Sequence, residues 1–358
     1  MIDRSHGGNI WQYPKSLRRA VIDFSVNTNP LGMAKKIKNS IVQNVDKINY
    51  YPDPESKYLK NSLAKFHRLS SHNFLIGNGS IELIHLIPRA LEAKVVLIPI
   101  PTFSEYEFAV KSNNAKCLFV KSTEKNNFKI DISRLMQHIP KADLVFLCNP
   151  NNPTGFALER QEILLLLKAC KKYNVTLVID EAFMDFVAPE NRITMVVESA
   201  KSKHLLVLRS LTKFFVVPGI RIGYVIGHKD TINKLSQHTY PWNVNAMAQA
   251  IAEEAIDDKQ YIARTQNIIP KERAYLYENL NKIRGVRVYP SDANFLFCKL
   301  KGAEIKNAAE LSRKLIRQGI LIRRCHNFRG LNDRFFRIAV KNREANIKLI
   351  SALRTVLE

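Results

Sequence analysis

The segment Ser210-Leu211-Thr212-Lys213-Phe214-Phe215-Val216-Val217-Pro218-Gly219-Ile220-Arg221 sets a lysine among two hydroxyls and a guanidinium. Hydroxyl and guanidinium groups are strong donors to a phosphate. A lysine desolvated among cations has a depressed pKa, so its neutral amine becomes available to attack a carbonyl. Two further segments also follow apolar runs: Asn149-Pro150-Asn151-Asn152-Pro153-Thr154-Gly155 and Asp180-Glu181-Ala182-Phe183. Taken alone, the first reads as an Asn-Pro turn and the second as an acidic strand end.

The elements that must position these residues are legible as a pattern. Apolar runs at 95–98, 144–147, 176–179, 205–208 and 222–226 predict buried strands. Residues 81–91, 103–112 and 160–173 carry helical spacing between some of them, which predicts an α/β arrangement with a mainly parallel sheet. Ligands of such sheets bind beyond the carboxyl ends of the strands, and each motif above lies just after one of these runs. From about residue 260 a long helical pattern runs to 282. The segments 286–289, 295–300, 320–323 and 336–340 then alternate with two helices as a small α+β unit. The division expected is an N-terminal segment (1–40) joining the small domain, a large domain (41–260) and a small domain (261–358), with the site between the two domains.

A chain of 358 residues with 46% hydrophobic content can bury a sizeable core. Its formal charge of +23 favours anionic partners, phosphorylated metabolites and nucleic acid among them. Lys and Arg are spread along the chain, as at 34–38 and 168–172, and form no charged tail. Cation runs interleaved with stacking aromatics are absent, which argues against a nucleic-acid groove. The cysteines Cys117, Cys148, Cys170, Cys298 and Cys325 are odd in number, far apart and without a Cys-x-x-Cys pair, as reduced thiols of a cytoplasmic protein would be. The start, Met1-Ile2-Asp3-Arg4-Ser5-His6, lacks the apolar core of a signal peptide, and no apolar run approaches a membrane span. The expectation is a soluble, unexported protein with no membrane or nucleic-acid partner and no metal.

Taken in order, the three motifs resemble those of the class I and II aminotransferases over essentially the whole chain. The resemblance implies the fold type I of pyridoxal-phosphate enzymes, an α/β fold like that of aspartate aminotransferase, with a mainly parallel seven-stranded sheet and a small α+β domain. It implies pyridoxal 5'-phosphate as cofactor, with Lys213 as its Schiff-base lysine. Asp180 is similar to the carboxylate that keeps the pyridine nitrogen protonated and the ring an electron sink. Asn152 resembles the amide that bonds the ring's phenolic oxygen. Gly79, Ser80 and Ile81, in Gly77-Asn78-Gly79-Ser80-Ile81-Glu82, resemble the helix start that holds the cofactor phosphate together with Ser210, Thr212 and Arg221. This is no dinucleotide fingerprint, because Glu82 stands where its third glycine belongs. Phe103 matches the aromatic that stacks on the ring. Tyr51 resembles the tyrosine that reaches the phosphate of a neighbouring subunit, which implies a homodimer with shared sites. Arg337 resembles the arginine that clamps the substrate carboxylate.

Three more segments narrow the resemblance. His6-Gly7-Gly8-Asn9, the stretch Asp23-Phe24-Ser25-Val26-Asn27-Thr28-Asn29-Pro30-Leu31-Gly32, and Ile320-Leu321-Ile322-Arg323 with Asn327-Phe328-Arg329-Gly330 resemble the branch of the family that decarboxylates threonine O-3-phosphate in cobalamin biosynthesis. Phe183 points the same way, since histidinol-phosphate aminotransferases usually carry a tyrosine there, and so does Phe103-Ser104-Glu105-Tyr106. The implied pocket for substrate phosphate and carboxylate is His6, Asn27, Arg323 and Arg337, with the division between the two anions open. Histidinol-phosphate transamination and phosphoserine decarboxylation remain the alternative activities.

Overall fold

The computed structural model describes residues 5–302 and 304–358; Met1–Arg4, which entered the reading of the N-terminus, lie outside the described residues. Seven strands form the main sheet: β1 (Phe74–Gly77), β2 (Val95–Ile100), β3 (Lys116–Lys121), β4 (Leu144–Cys148), β5 (Thr176–Asp180), β6 (Leu205–Ser210) and β7 (Gly223–Gly227). Their spatial order is β1-β7-β6-β5-β4-β2-β3. All pairs are parallel except the two made by β7, which runs antiparallel to both β1 and β6. β4 and β6 are buried along their whole length, as central strands covered on both faces must be.

Three helices flank the strands that carry the motifs: α1 (Ser80–Ala90), α2 (Glu105–Ser112) and α3 (Arg160–Lys172). α3 opens on a capping box in which Glu159 and Glu162 each satisfy the other's backbone N–H, and this fixes where the chain turns after the Asn-Pro segment. Among the described residues no helix is long and apolar enough to cross a membrane.

A second sheet holds β8 (Val286–Val288), β9 (Phe295–Leu300), β10 (Arg323–Arg324) and β11 (Phe335–Ala339) in the order β10-β11-β9-β8. Against it lies α4 (Lys259–Asn281), and α5 (Arg343–Leu357) packs on α4. The apolar run at 320–323 is not one strand. Ile320–Leu321 pairs in parallel with Ile22–Asp23 near the N-terminus, whereas Arg323–Arg324 pairs with β11. That switch brings the N-terminal segment onto the second sheet, and Phe24 then anchors it with no exposure at all. Two strands of the main sheet, β1 and β3, were not foreseen, nor was the short strand Ile22–Asp23. β1 has only four residues, and β3 is an edge strand bounded by exposed lysines at both ends.

Candidate active site

The carboxyl ends of β4, β5 and β6 and the start of α1 open on a cavity of about 450 Å³. At one end lies a phosphate-sized cradle. Ser210 closes β6, and its Oγ sits 2.8 Å from Thr212 Oγ1 in the short helical turn that follows. Lys213 Nζ donates to Ser210 Oγ at 3.4 Å. Arg221 adopts a left-handed backbone (φ 59), a strained conformation for a residue with a Cβ, and its guanidinium thereby lies over Gly79. Gly79 itself has φ 77, and a Cβ there would come within 2.7 Å of Arg221 Nη2, so only glycine serves both the turn and the close approach. The free N–H groups of the eleven-residue α1 start at Ser80, beside these donors.

At the other end Asp180 is buried, with Oδ2 accepting from the Tyr106 hydroxyl at 2.7 Å and Oδ1 from the Ala182 N–H at 3.0 Å. Burial pushes its carboxyl above the usual range, while Tyr106, Lys213 and the Ala182 N–H pull it back. Lys213 stands between the two ends. Burial lowers its pKa, the Asp180 charge opposes this, and Arg221 adds to the lowering. Phe103, Phe183 and Asn152 complete the walls, with the Lys213 ammonium 5.4 Å from the Phe183 ring centre. The donor set fits pyridoxal 5'-phosphate: a cradle for one phosphate, a buried acid to face a ring nitrogen, an amine for the aldehyde and an aromatic face. Among the described residues no group of His, Cys, Asp and Glu could hold a metal ion.

The cavity thus gathers Ser80, Ile81, Phe103, Asn152, Asp180, Ser210, Thr212, Lys213, Arg221 and His6 of the residues picked out from sequence. The remainder lie outside its lining. Arg337 is buried on β11, donating to Asn152 Oδ1 and to the Ser25 carbonyl at 3.0 Å. Burial lowers its pKa to about 10, with Cys325 opposing and Arg323 adding to the fall. Arg323 pairs in register with Arg337 across β10 and β11, so two buried guanidinium groups share one edge of the sheet. Arg323 donates to the Ser5 carbonyl and to Asn327 Oδ1, at 2.8 and 2.7 Å, and lines a second cavity of about 280 Å³ that meets the first at His6. Asn27 is buried, its Oδ1 lacking a partner among the described residues, and its carbonyl accepts from Asn294. Tyr51 is outside the cavity altogether, 82% exposed and packed on Trp242.

Three wall residues were not foreseen as site residues: Glu105, Cys148 and Ala182. Neither was Tyr106, which reaches Asp180 from α2. The one signal available was its spacing, three residues after Phe103 at a helix start, which puts both rings on one face. His6 Nε2 lies 2.8 Å from Glu105 Oε1, joining the N-terminal segment to α2. The two glycines after His6 allow this. A Cβ on Gly7 would fall 2.1 Å from the Ser25 carbonyl oxygen, and the Gly8 N–H donates to Ser25 Oγ at 2.8 Å.

The family model for aminotransferase class I and II matches residues 19–353, and the chain belongs to that family. A Caldanaerobacter subterraneus protein whose name assigns it provisionally as a threonine-phosphate decarboxylase is 40% identical over 99% of this chain and 94% of its own length. The threonine-phosphate decarboxylase of Salmonella typhimurium is 34% identical over 100% of this chain and 98% of its own. Among solved structures, the histidinol-phosphate aminotransferase of Clostridium acetobutylicum superimposes with a TM-score of 0.86 at 34% identity, covering 93% of this chain and 98% of that one.

Proposed function

We propose that the chain is a pyridoxal-phosphate-dependent decarboxylase that converts L-threonine O-3-phosphate to (R)-1-amino-2-propanol O-2-phosphate and carbon dioxide, a step of cobalamin biosynthesis, as a cytoplasmic homodimer. The observation that carries the reading is the buried Arg323 and Arg337 pair on neighbouring strands at the cavity's edge. The two desolvated cations repel, which adds to the fall of the Arg337 pKa, and Cys325 and Asp23 only partly oppose it. A small substrate carrying both a phosphate and a carboxylate suits such a pair of cations. Histidinol phosphate carries only one of these two anions. Relatives named as threonine-phosphate decarboxylases match over 99% and 100% of the chain.

When bound, the cofactor draws electrons from whichever bond at the amine-bearing carbon stands perpendicular to its ring. The chain's part is to hold it and to choose that bond. Ser210, Thr212, Arg221 and the start of α1 at Gly79, Ser80 and Ile81 would hold the phosphate. Asp180 would face the ring nitrogen, Asn152 the phenolic oxygen and Phe103 the ring. Lys213, whose pKa burial lowers, would attach the aldehyde. His6, Asn27, Arg323 and Arg337 would grip the two substrate anions and turn the carboxylate out of the ring plane, since orientation is what separates loss of carbon dioxide from transamination. Phe183 offers no hydroxyl at the cavity wall, unlike the tyrosine usual in the aminotransferases.

The test is to supply pyridoxal phosphate and O-phosphothreonine with no 2-oxo acid and to measure released carbon dioxide. Release on every turnover is the expected result, because decarboxylation needs only a proton in place of the carboxylate. Amino transfer from histidinol phosphate that depends on a 2-oxo acid, with no carbon dioxide from phosphothreonine, would overturn the reading in favour of the aminotransferase. O-Phosphoserine in the same assay settles the smaller question, since one methyl is worth only about 1 to 3 kcal/mol of discrimination.

A further inference from the structure

Tyr106 is fully buried on α2, its ring stacked on Phe146 at 4.9 Å and 10°, with the Phe103 ring set edge-on at 5.7 Å. A phenylalanine would fill that space equally well. The hydroxyl is therefore the part that packing does not explain; it donates to Asp180 Oδ2 at 2.7 Å across 74 residues of chain, with the Cys148 thiol as a further neighbour. We propose that Tyr106 is a positioning residue for the cofactor: its hydroxyl holds Asp180 anionic and in one orientation, as pairing with a protonated pyridine nitrogen requires. The inference rests on Asp180 being the residue that faces that nitrogen.

The two carboxylate oxygens are each fixed by a separate donor, Oδ1 by the Ala182 N–H and Oδ2 by Tyr106, so the group cannot swing about its bond. Burial alone would drive Asp180 to its neutral form, which has no charge to offer the nitrogen. Hydrogen bonds to the anion oppose that drift, and bonds to charged groups are the stronger kind. Toward the Asp180 anion Tyr106 is the donor, because burial holds its phenol well above the usual value and so keeps its proton in place. The other ionisable groups facing Asp180 are Lys213, from the turn after β6, and Cys148, from β4. Burial pushes the Cys148 thiol up to about 12, so it stays neutral, and its Sγ donates to the Pro150 carbonyl at 3.3 Å.

The experiment compares the wild type, Tyr106→Phe, Asp180→Asn and the double variant for pyridoxal phosphate affinity and for the pH at which the bound chromophore changes its absorption. Tyr106→Phe should weaken cofactor binding roughly tenfold or more, as loss of one charge-assisted hydrogen bond implies, and should move the spectral transition to lower pH. In the Asp180→Asn background the same substitution should change affinity less than about twofold, because the partner through which it acts is gone. An equal loss in both backgrounds, or wild-type affinity and spectra in Tyr106→Phe, overturns the proposal. Should removal of the hydroxyl lower the melting temperature, Phe146→Leu serves as the packing control: it loosens the same stack and leaves the hydrogen bond. A matching spectral shift in that variant sinks the proposal as well. If the wild type itself binds no pyridoxal phosphate, the reading of the site fails with it.

Discussion

Several side chains of the site act through what burial does to them. Lys213 loses water and so loses its proton more readily than a free lysine, and Asp180 is pushed the opposite way. The two shifts suit an amine that must attack and an acid that must be helped to stay charged. His6 belongs to the same scale, because its place depends on its neighbour. Gly7 passes so close to the Ser25 carbonyl that any side chain must push the N-terminal segment away from the cavity. Gly7→Ala should therefore reproduce the effect of His6→Ala: KM for phosphothreonine raised roughly tenfold or more through the lost polar contact, with cofactor affinity unchanged. Steady-state kinetics beside a cofactor titration check this. A wild-type KM in Gly7→Ala alongside a raised one in His6→Ala would show that the close approach is not what places the histidine.

Strand ends carry the site, and a buried charge network braces them. Glu181 follows Asp180 and Arg209 precedes Ser210; Arg209 donates to Glu181 Oε2 at 2.8 Å and to Asp185, and Glu181 also accepts from Thr194 and from the Met195 N–H. The pair ties β5 to β6 one residue away from the two groups proposed to hold opposite ends of the cofactor. His67 packs behind this network, with Nε2 2.9 Å from the Tyr224 hydroxyl. Burial, with Arg209 adding to it, lowers the His67 pKa to about 4 against 6.5 unperturbed. Between those values the unfolded chain binds the proton and the folded one does not, so stability is intact above pH 6.5 and falls as pH drops toward 4. The upper bound on that loss is about 3 kcal/mol. Urea unfolding at pH 7.5 and pH 5 should give a smaller pH difference for His67→Gln than for the wild type; equal differences would remove His67 as the cause. Little of this was readable in the sequence. Motifs directly after apolar runs announced the strand ends and the cradle, because residue type and neighbouring pattern sufficed. Contacts such as Tyr106 to Asp180, His6 to Glu105 and Arg337 to Asn152 join segments 74, 99 and 185 residues apart, and no local pattern encodes them. The split of the run at 320–323 between two sheets was hidden for the same reason: its partner at Ile22–Asp23 lies at the far end of the chain.

Over the whole molecule, exposed apolar side chains are not scattered evenly. Val42, Val45, Ile48, Tyr50, Tyr51 and Tyr58 fall in one stretch of chain, and Tyr240 and Trp242 come from a second that meets it where the Tyr51 and Trp242 rings pack 4.8 Å apart. The helix Ala246–Ile256 packs against both Lys35–Gln43 and Lys57–His67, which holds the two stretches together on one face. An apolar face of this kind on a chain of net charge +23 needs a cover, and a second copy of the chain suits the homodimer that the family resemblance implies. The proposed role of Tyr51, reaching a neighbour's cofactor phosphate, places it on this face rather than in its own cavity. Complementation tests the arrangement. Tyr51→Ala keeps Lys213 but spoils the partner's site, whereas Lys213→Ala keeps Tyr51 but lacks the attaching amine. Each alone should be folded and nearly inactive, and Lys213→Ala should lack the visible absorption of the attached cofactor. Mixed at equal amounts after subunit exchange, half the dimers are hybrids, each with one intact site, so activity should rise to about one quarter of wild type. No recovery, once exchange is verified with tagged subunits, would mean that Tyr51 serves its own subunit or none, and the shared site would have to be abandoned.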